Sequence, residues 1–153
     1  MYVVPDSVKQ DPRRRWALPD RIFFACGACH ILAYAFLAAH QHRGFDAIWM
    51  KPAEGYIGNH IVVARDGLAF DYHGWSPLRR LLDHAHGKAN RWWPGWRAEL
   101  VAVPAAVLVS EQGSKAFGAR HGGKLWLREP RQFLHDPLPR ARAFIARHAR
   151  PDI

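Results

Sequence analysis

The run Ile61-Val-Val-Ala-Arg-Asp-Gly-Leu-Ala-Phe-Asp-Tyr72 leaves the chain little freedom. Two apolar stretches suited to a pleated surface flank Asp66-Gly67, a dipeptide that accepts the left-handed backbone of a two-residue hairpin loop. Such a loop fixes the register: residue 65 faces 68, 64 faces 69, 63 faces 70 and 62 faces 71. A slip of one residue would turn every side chain to the wrong face. His60 lies two positions along its strand from the partner of Asp71, so the two share a face and stand on a diagonal that long side chains can bridge. The turn therefore predicts an imidazole beside a carboxylate.

The remaining elements follow from local pattern. Residues 1–20 hold Pro5, Pro12 and Pro19 with Arg13-Arg14-Arg15, a composition that disfavours a continuous helix and predicts an arm packed by Val3, Val4 and Trp16. From Cys29 to His40 the chain is rich in Ala and Leu and apolar nearly all round, as in a buried helix. Phe45 to Lys51 reads as a strand followed by a loop through Gly55 and Gly58. Ser76-Pro77 reads as a helix cap, with a helix from Pro77 to about His86 carrying Leu78, Leu81, Leu82 and Ala85 inward. A tryptophan loop then spans Lys88 to Trp96, and Ala98 to Val103 forms a strand. The glycines from 113 to 123 read as a flexible connection, Lys124 to Leu127 as a short strand, and Leu138 to His148 as an amphipathic helix. With 153 residues, 49% of them hydrophobic, the chain can bury a core. The order predicts one α+β domain over 1–153, with a Cys helix and His/Asp hairpin core over 21–75.

Both cysteines fall in Cys26-Gly-Ala-Cys29-His30, at the mouth of the predicted helix. In the first helical turn, the macrodipole and unpaired N–H groups favour a thiolate and offer donors to an oxyanion. Cys29 is thus a candidate nucleophile, His60 its base and Asp71 the group that orients the base.

These residues resemble the papain-like cysteine peptidases and the related transglutaminase-like proteins. Cys26-Gly-Ala-Cys29-His30 is similar to the Cys-Gly-Ser-Cys-Trp segment in which the second cysteine is the nucleophile at the start of the central helix. Asn59-His60-Ile-Val-Val-Ala resembles the strand opened by the catalytic histidine, and Asp71 stands where a polar residue completes the set. The resemblance runs from Cys26 to Gly74. It implies a central N-terminal helix packed on an antiparallel sheet, a Cys29-His60-Asp71 triad, an amide or peptide substrate and no cofactor or metal. Peptidase, amidase, deamidase and transferase chemistry share these steps. One departure is plain: the family's oxyanion glutamine, six residues before the nucleophile, is here Phe23, and Asn59 is the candidate to replace it.

Other readings of the same stretch stay open. Cys26-x-x-Cys29-His30 has the spacing of covalent haem attachment with His30 as axial ligand, and also that of a redox dithiol, for which Ile22 to Ala25 would supply the leading strand. A zinc site would need ligands beyond Cys26, Cys29 and His30, and no second pair at finger spacing supplies them. The charge of +9, from 22 Lys and Arg against 13 Asp and Glu, admits a basic binding domain presenting Arg13 to Arg15 and Trp92, Trp93 and Trp96 to a partner. The scattered basic residues and the absence of a recognised motif argue against nucleic acid. His84 and His86 differ by two positions and form no helical metal pair, and His73 reads as a loop residue near a cleft. No apolar run reaches the roughly 18 residues of a membrane span, and no signal layout opens the sequence, so the expectation is a cytoplasmic protein without a membrane partner.

Overall fold

The computed structural model describes residues 3–151, which leaves the first two residues of the expected arm outside it. That arm consists of two short helices, α1 (Asp6–Lys9) and α2 (Pro12–Trp16), and not of one continuous helix. Proline is compatible with a first helical turn, and Asp11 caps α2 by accepting from the N–H groups of Arg13 and Arg14. Val4 is buried and Trp16 half-buried, but Val3 is 66% exposed and does not pack the arm.

Helix α3 (Asp20–Ala25) leads through Gly27, whose φ of 110° suits a residue without Cβ, into α4 (Cys29–Ala39). The strand that a redox dithiol would want before its cysteines is thus a helix. Five strands follow or flank a further helix: β1 (Asp46–Pro52), β2 (His60–Arg65), β3 (Leu68–Asp71), β4 (Gly74–Pro77), α5 (Leu78–Trp92) and β5 (Ala98–Val103). They form one antiparallel sheet in the order β4-β3-β2-β1-β5. The chain ends with α6 (Glu111–Arg120) and α7 (Pro137–Ala146), each preceded by a short 3-10 turn, at Ala105–Val109 and Pro130–Gln132. Seven α-helices and a five-stranded antiparallel sheet, among the described residues, make this an α+β fold.

The sheet is covered on both faces. One face carries Trp49, Ile61, Val63 and Phe70 against α4 and α7, where Phe36 stacks on Phe70 at 5.0 Å between ring centroids. The other carries Met50, Val62, Ala64 and Ala69 against Leu81 and Ala89 of α5. Strand β2 is therefore apolar on both sides, which accounts for its unbroken Ile-Val-Val-Ala run.

Four local expectations fail for identifiable reasons. Ser76-Pro77 is not a cap: Ser76 pairs with Ala69 in the sheet, so a fourth strand precedes α5. Helix α5 runs to Trp92 because Ala89 continues the stripe of Leu78, Leu81, Leu82 and Ala85 onto the sheet, and Asn90 closes it by donating to the Trp96 carbonyl and accepting from the Gly95 N–H. The glycine-rich segment from 113 is helical, capped by Ser110. Buried Ser114 of α6 accepts from the N–H of Leu127, so the 124–127 segment is strapped to α6 rather than added to the sheet.

No helix among the described residues is long and apolar enough to cross a membrane.

Two helical glycines should respond oppositely to alanine. At Gly118 a Cβ would lie 2.7 Å from the Leu125 backbone nitrogen, whereas at Gly87 nothing lies within 4 Å. Gly87→Ala should raise stability by up to about 1 kcal/mol through helix propensity. Gly118→Ala should lower it despite the same propensity gain, because a backbone segment must move. Urea unfolding of the two variants checks the opposite signs.

Candidate active site

The β2–β3 pairs are Val63 with Phe70, Ala64 with Ala69 and Arg65 with Leu68, the register demanded by a two-residue turn. Asp66 and Gly67 both take positive φ, 49° and 79°. The diagonal follows: His60 Nε2 lies 3.0 Å from Asp71 Oδ2. Asp71 is buried, and its other oxygen accepts from the His73 backbone N–H at 2.8 Å and meets His73 Nδ1 at 3.0 Å. Both carboxylate oxygens are thus engaged, and the carboxylate cannot swing away from His60 without losing its other bonds.

Cys29 comes from the opposite side of the sheet. By the two-residue period of a strand, His60 shares a face with Val62 and Ala64, which α5 covers, whereas α4 packs on the other face. His60 opens β2 and Cys29 opens α4, so the two meet at the end of the sheet. His30 and His60 are the two side chains that lower the Cys29 thiol, which places both near the sulfur. With His60 Nε2 held by Asp71, Nδ1 is the nitrogen left for the thiol. His30 is buried with Nε2 donating to the Arg128 carbonyl at 2.8 Å, which fixes its ring and leaves it poorly placed as a haem ligand. Among the described residues no three His, Cys, Asp or Glu side chains converge as a metal site.

The electrostatics favour an ion pair. Burial pushes the Cys29 thiol up, but hydrogen bonds with His30 and His60 and the His60 charge outweigh it and bring the thiol down to about 5. Burial likewise opposes the His60 charge, yet Asp71 and the Cys29 sulfur together lift the imidazole to about 10. Asp71 is driven well below the ordinary carboxylate range, its burial being outweighed by the hydrogen bonds from His60 and His73. Cys26 behaves oppositely: burial raises its thiol, so the two cysteines are chemically distinct.

A cavity of about 500 Å³ opens beside this group. Its lining includes His60 and Asp71, as well as Gly27, two residues ahead of the sulfur; Cys29 is not itself a lining residue but keeps partial exposure. Ile57, Trp92 and Trp93 form an apolar side of the cavity. The tryptophans divide: Trp96 is 4% exposed with Nε1 donating to the Ile57 carbonyl, whereas Trp92 is 58% exposed at the cavity mouth.

Phe23, at the position of the family's glutamine, is a core residue packed edge-on against Phe24 and Phe133 and supplies no donor. Asn59 lines the cavity, but its Oδ1 accepts from Trp49 Nε1 at 2.8 Å and its Nδ2 donates to the Lys124 carbonyl at 3.0 Å, so one amide hydrogen remains. The backbone is the better donor. Ala28 at the N-cap of α4 makes no side-chain cap, and the first N–H groups of a helix have no partner within it.

Sequence reasoning placed His73 near a cleft but missed that it braces Asp71, and it missed three other cavity neighbours. His84 lines the cavity with its ring 5.2 Å from that of His73. Arg15 and Arg128 also line it. The basic run does not form one surface, because Arg13 and Arg14 are exposed while Arg15 turns inward. No family model, curated protein or solved structure matches this chain.

The ion pair should shape stability against pH. A thiol lowered from 9.0 to about 5 stabilises the fold fully above pH 9 and loses that contribution as pH falls toward 5. An imidazole raised from 6.5 to about 10 stabilises it fully below pH 6.5 and loses that contribution as pH rises toward 10. Together they predict a urea midpoint that rises from about pH 5 to 6.5, stays level to about 9 and falls beyond. Unfolding titrations of wild type and the Cys29→Ala/His60→Ala double variant check whether this contribution disappears with the pair.

Proposed function

We propose that this chain is a papain-like cysteine hydrolase or acyltransferase acting on an amide or ester, with Cys29 as nucleophile, His60 as general base and acid, and Asp71 as the residue that orients His60. The observation that carries the reading is the hydrogen bond by which buried Asp71 holds one His60 nitrogen, with that same imidazole favouring the Cys29 thiolate. An ordinary buried cysteine is raised by desolvation and needs no oriented imidazole; this one departs on both counts.

In the forward half-reaction the Cys29 thiolate attacks the carbonyl carbon, and the carbonyl electron pair moves to oxygen. Backbone N–H groups at the uncapped start of α4 stabilise that oxyanion. The C–N or C–O bond then breaks as the His60 imidazolium gives its proton to the leaving group, which leaves a thioester on Cys29. In the second half, neutral His60 takes a proton from water or an acceptor amine as it attacks the thioester, and the sulfur departs as thiolate beside the re-formed imidazolium. Asp71 remains ionised throughout and holds the ring.

Trapping the thioester tests this. Incubation with an activated acyl ester, followed by acid quench and peptide mass mapping, should place one acyl group on Cys29 and none on Cys26. In His60→Ala, acylation at neutral pH should fall by roughly 10²-fold or more, the usual contribution of a positioned base. Equal and slow acylation in wild type and variant would mean an inert thiol, leaving the basic binding domain as the remaining reading.

A further inference from the structure

Arg15 and Arg128 line the cavity at the end formed by Cys26 and Gly27. Arg15 is 6% exposed, its NH1 group donates to the Lys9 carbonyl at 2.8 Å, and its buried Nε has no hydrogen-bond partner among the described residues. Arg128 lies beside Gly27, where an added Cβ would meet its NH1 group at a contact distance of 3.5 Å. Both guanidiniums are disfavoured by burial, and the Arg15 charge is further opposed by that of Arg128. Asp11 offsets part of the Arg15 effect, and Arg15 and Arg128 also stand over the Phe133 and Trp126 rings at 5.9 Å. Two partly desolvated like charges on one cavity, one with an unused donor, still carry an energetic penalty. An anion placed between them would relieve it.

We infer that Arg15 and Arg128 form a carboxylate-binding subsite which positions the substrate of Cys29, so that the amide cleaved or transferred belongs to a short peptide or N-acyl amino acid with a carboxylate near the reacting bond. The inference rests on the cysteine-hydrolase reading. A planar guanidinium presents paired N–H donors that match a carboxylate, and a carboxylate is the anion that peptide-like amides carry. Lys9, exposed on the same lining, adds positive charge at the entrance. Ile57, Trp92 and Trp93 offer apolar contact to the rest of the molecule. The same arrangement explains a feature of the chain's charge: Arg15 faces inward while Arg13 and Arg14 remain in solvent.

The test compares thiol-directed probes in acid and amide pairs that differ in charge. Bromoacetyl-glycine carries a terminal carboxylate and bromoacetyl-glycinamide is its neutral match; bromoacetyl-glutamic acid α-amide carries its carboxylate on a side chain alone, and bromoacetyl-glutamine α-amide is its neutral match. Each alkylates Cys29 with loss of bromide, and mass mapping separates Cys29 from Cys26. One of the acid probes should label wild type with saturation and at least roughly tenfold faster than its neutral match, as expected for a charge-assisted contact. Which acid probe gains identifies the terminal or the side-chain carboxylate as the recognised group. The acid-to-amide ratio should fall to about one in Arg128→Gln, a half-buried position, and in Arg15→Gln if that variant folds. A ratio near one in wild type, or a preference that survives Arg128→Gln, overturns the subsite. Failure of the underlying reading looks different: every probe would then react at the rate of an ordinary thiol, with no dependence on His60.

Discussion

Asp66 and Gly67 adopt left-handed backbone in succession, and the two-residue turn they make holds β2 and β3 in a register with no alternative of equal burial. Both faces of β2 are packed, one by α4 and the other by α5, so a one-residue slip would carry Ile61 and Val63 to the α5 side and Val62 to the α4 side. It would also carry His60 out of reach of Asp71. The packing of the core and the geometry of the candidate site are therefore set by the same hydrogen-bonded ladder. Stability of the hairpin and alignment of the imidazole are not separable properties here.

Burial of the site makes its charges mutually dependent. A carboxylate as enclosed as Asp71 is tolerated because His60 and His73 satisfy both oxygens. His60 in turn keeps its proton because a carboxylate holds one nitrogen and the sulfur engages its side chain, and the thiol ionises because an imidazolium faces it. Removing any member leaves the others buried and uncompensated. His73 is a positioning residue in this sense, since it acts on Cys29 only through Asp71 and His60.

The parts of this arrangement legible in the sequence are those fixed by short-range rules. The Asp66-Gly67 turn predicts the register, the register predicts the His60–Asp71 diagonal, and the apolar run after Cys29 predicts a buried helix that begins at the thiol. What could not be read depends on contacts between distant segments. Gly118 lies in a helix because the chain at Leu125 crosses against it, and nothing local distinguishes it from the glycine of a loop. Ser76 looks like a cap until β3 is present to pair with it. Arg128 reaches Gly27 across a hundred residues of chain, and Arg15 is indistinguishable from its two neighbours until α2 turns it inward. His73 carried one signal that short-range reasoning could have used: a histidine two residues after a candidate carboxylate, in a turn, can return its backbone N–H to that carboxylate.

Several of the places where this chain breaks local rules lie near Cys29. Helix α4 starts after Ala28, a residue that cannot cap it, although Ser, Thr, Asp or Asn there would ordinarily stabilise a helix by about 1 kcal/mol. Gly27 takes a positive φ directly before it, Arg15 keeps a buried Nε without a partner among the described residues, and His30 spends a core position on a hydrogen bond to a distant carbonyl. Scattered through the fold, such departures would only weaken it. Gathered around one thiol they fit the proposed chemistry, because a capped helix start would occupy the N–H groups that the proposed oxyanion needs, and the positive φ at Gly27 would strain any residue with a side chain. Conflict between local preference and global structure is expected where a site has been kept at the expense of stability. Here that conflict gathers along the turn from Cys26 into Cys29: the uncapped helix start and the positive-φ glycine lie just ahead of Cys29, and the buried arginine lines the cavity together with Cys26 and Gly27.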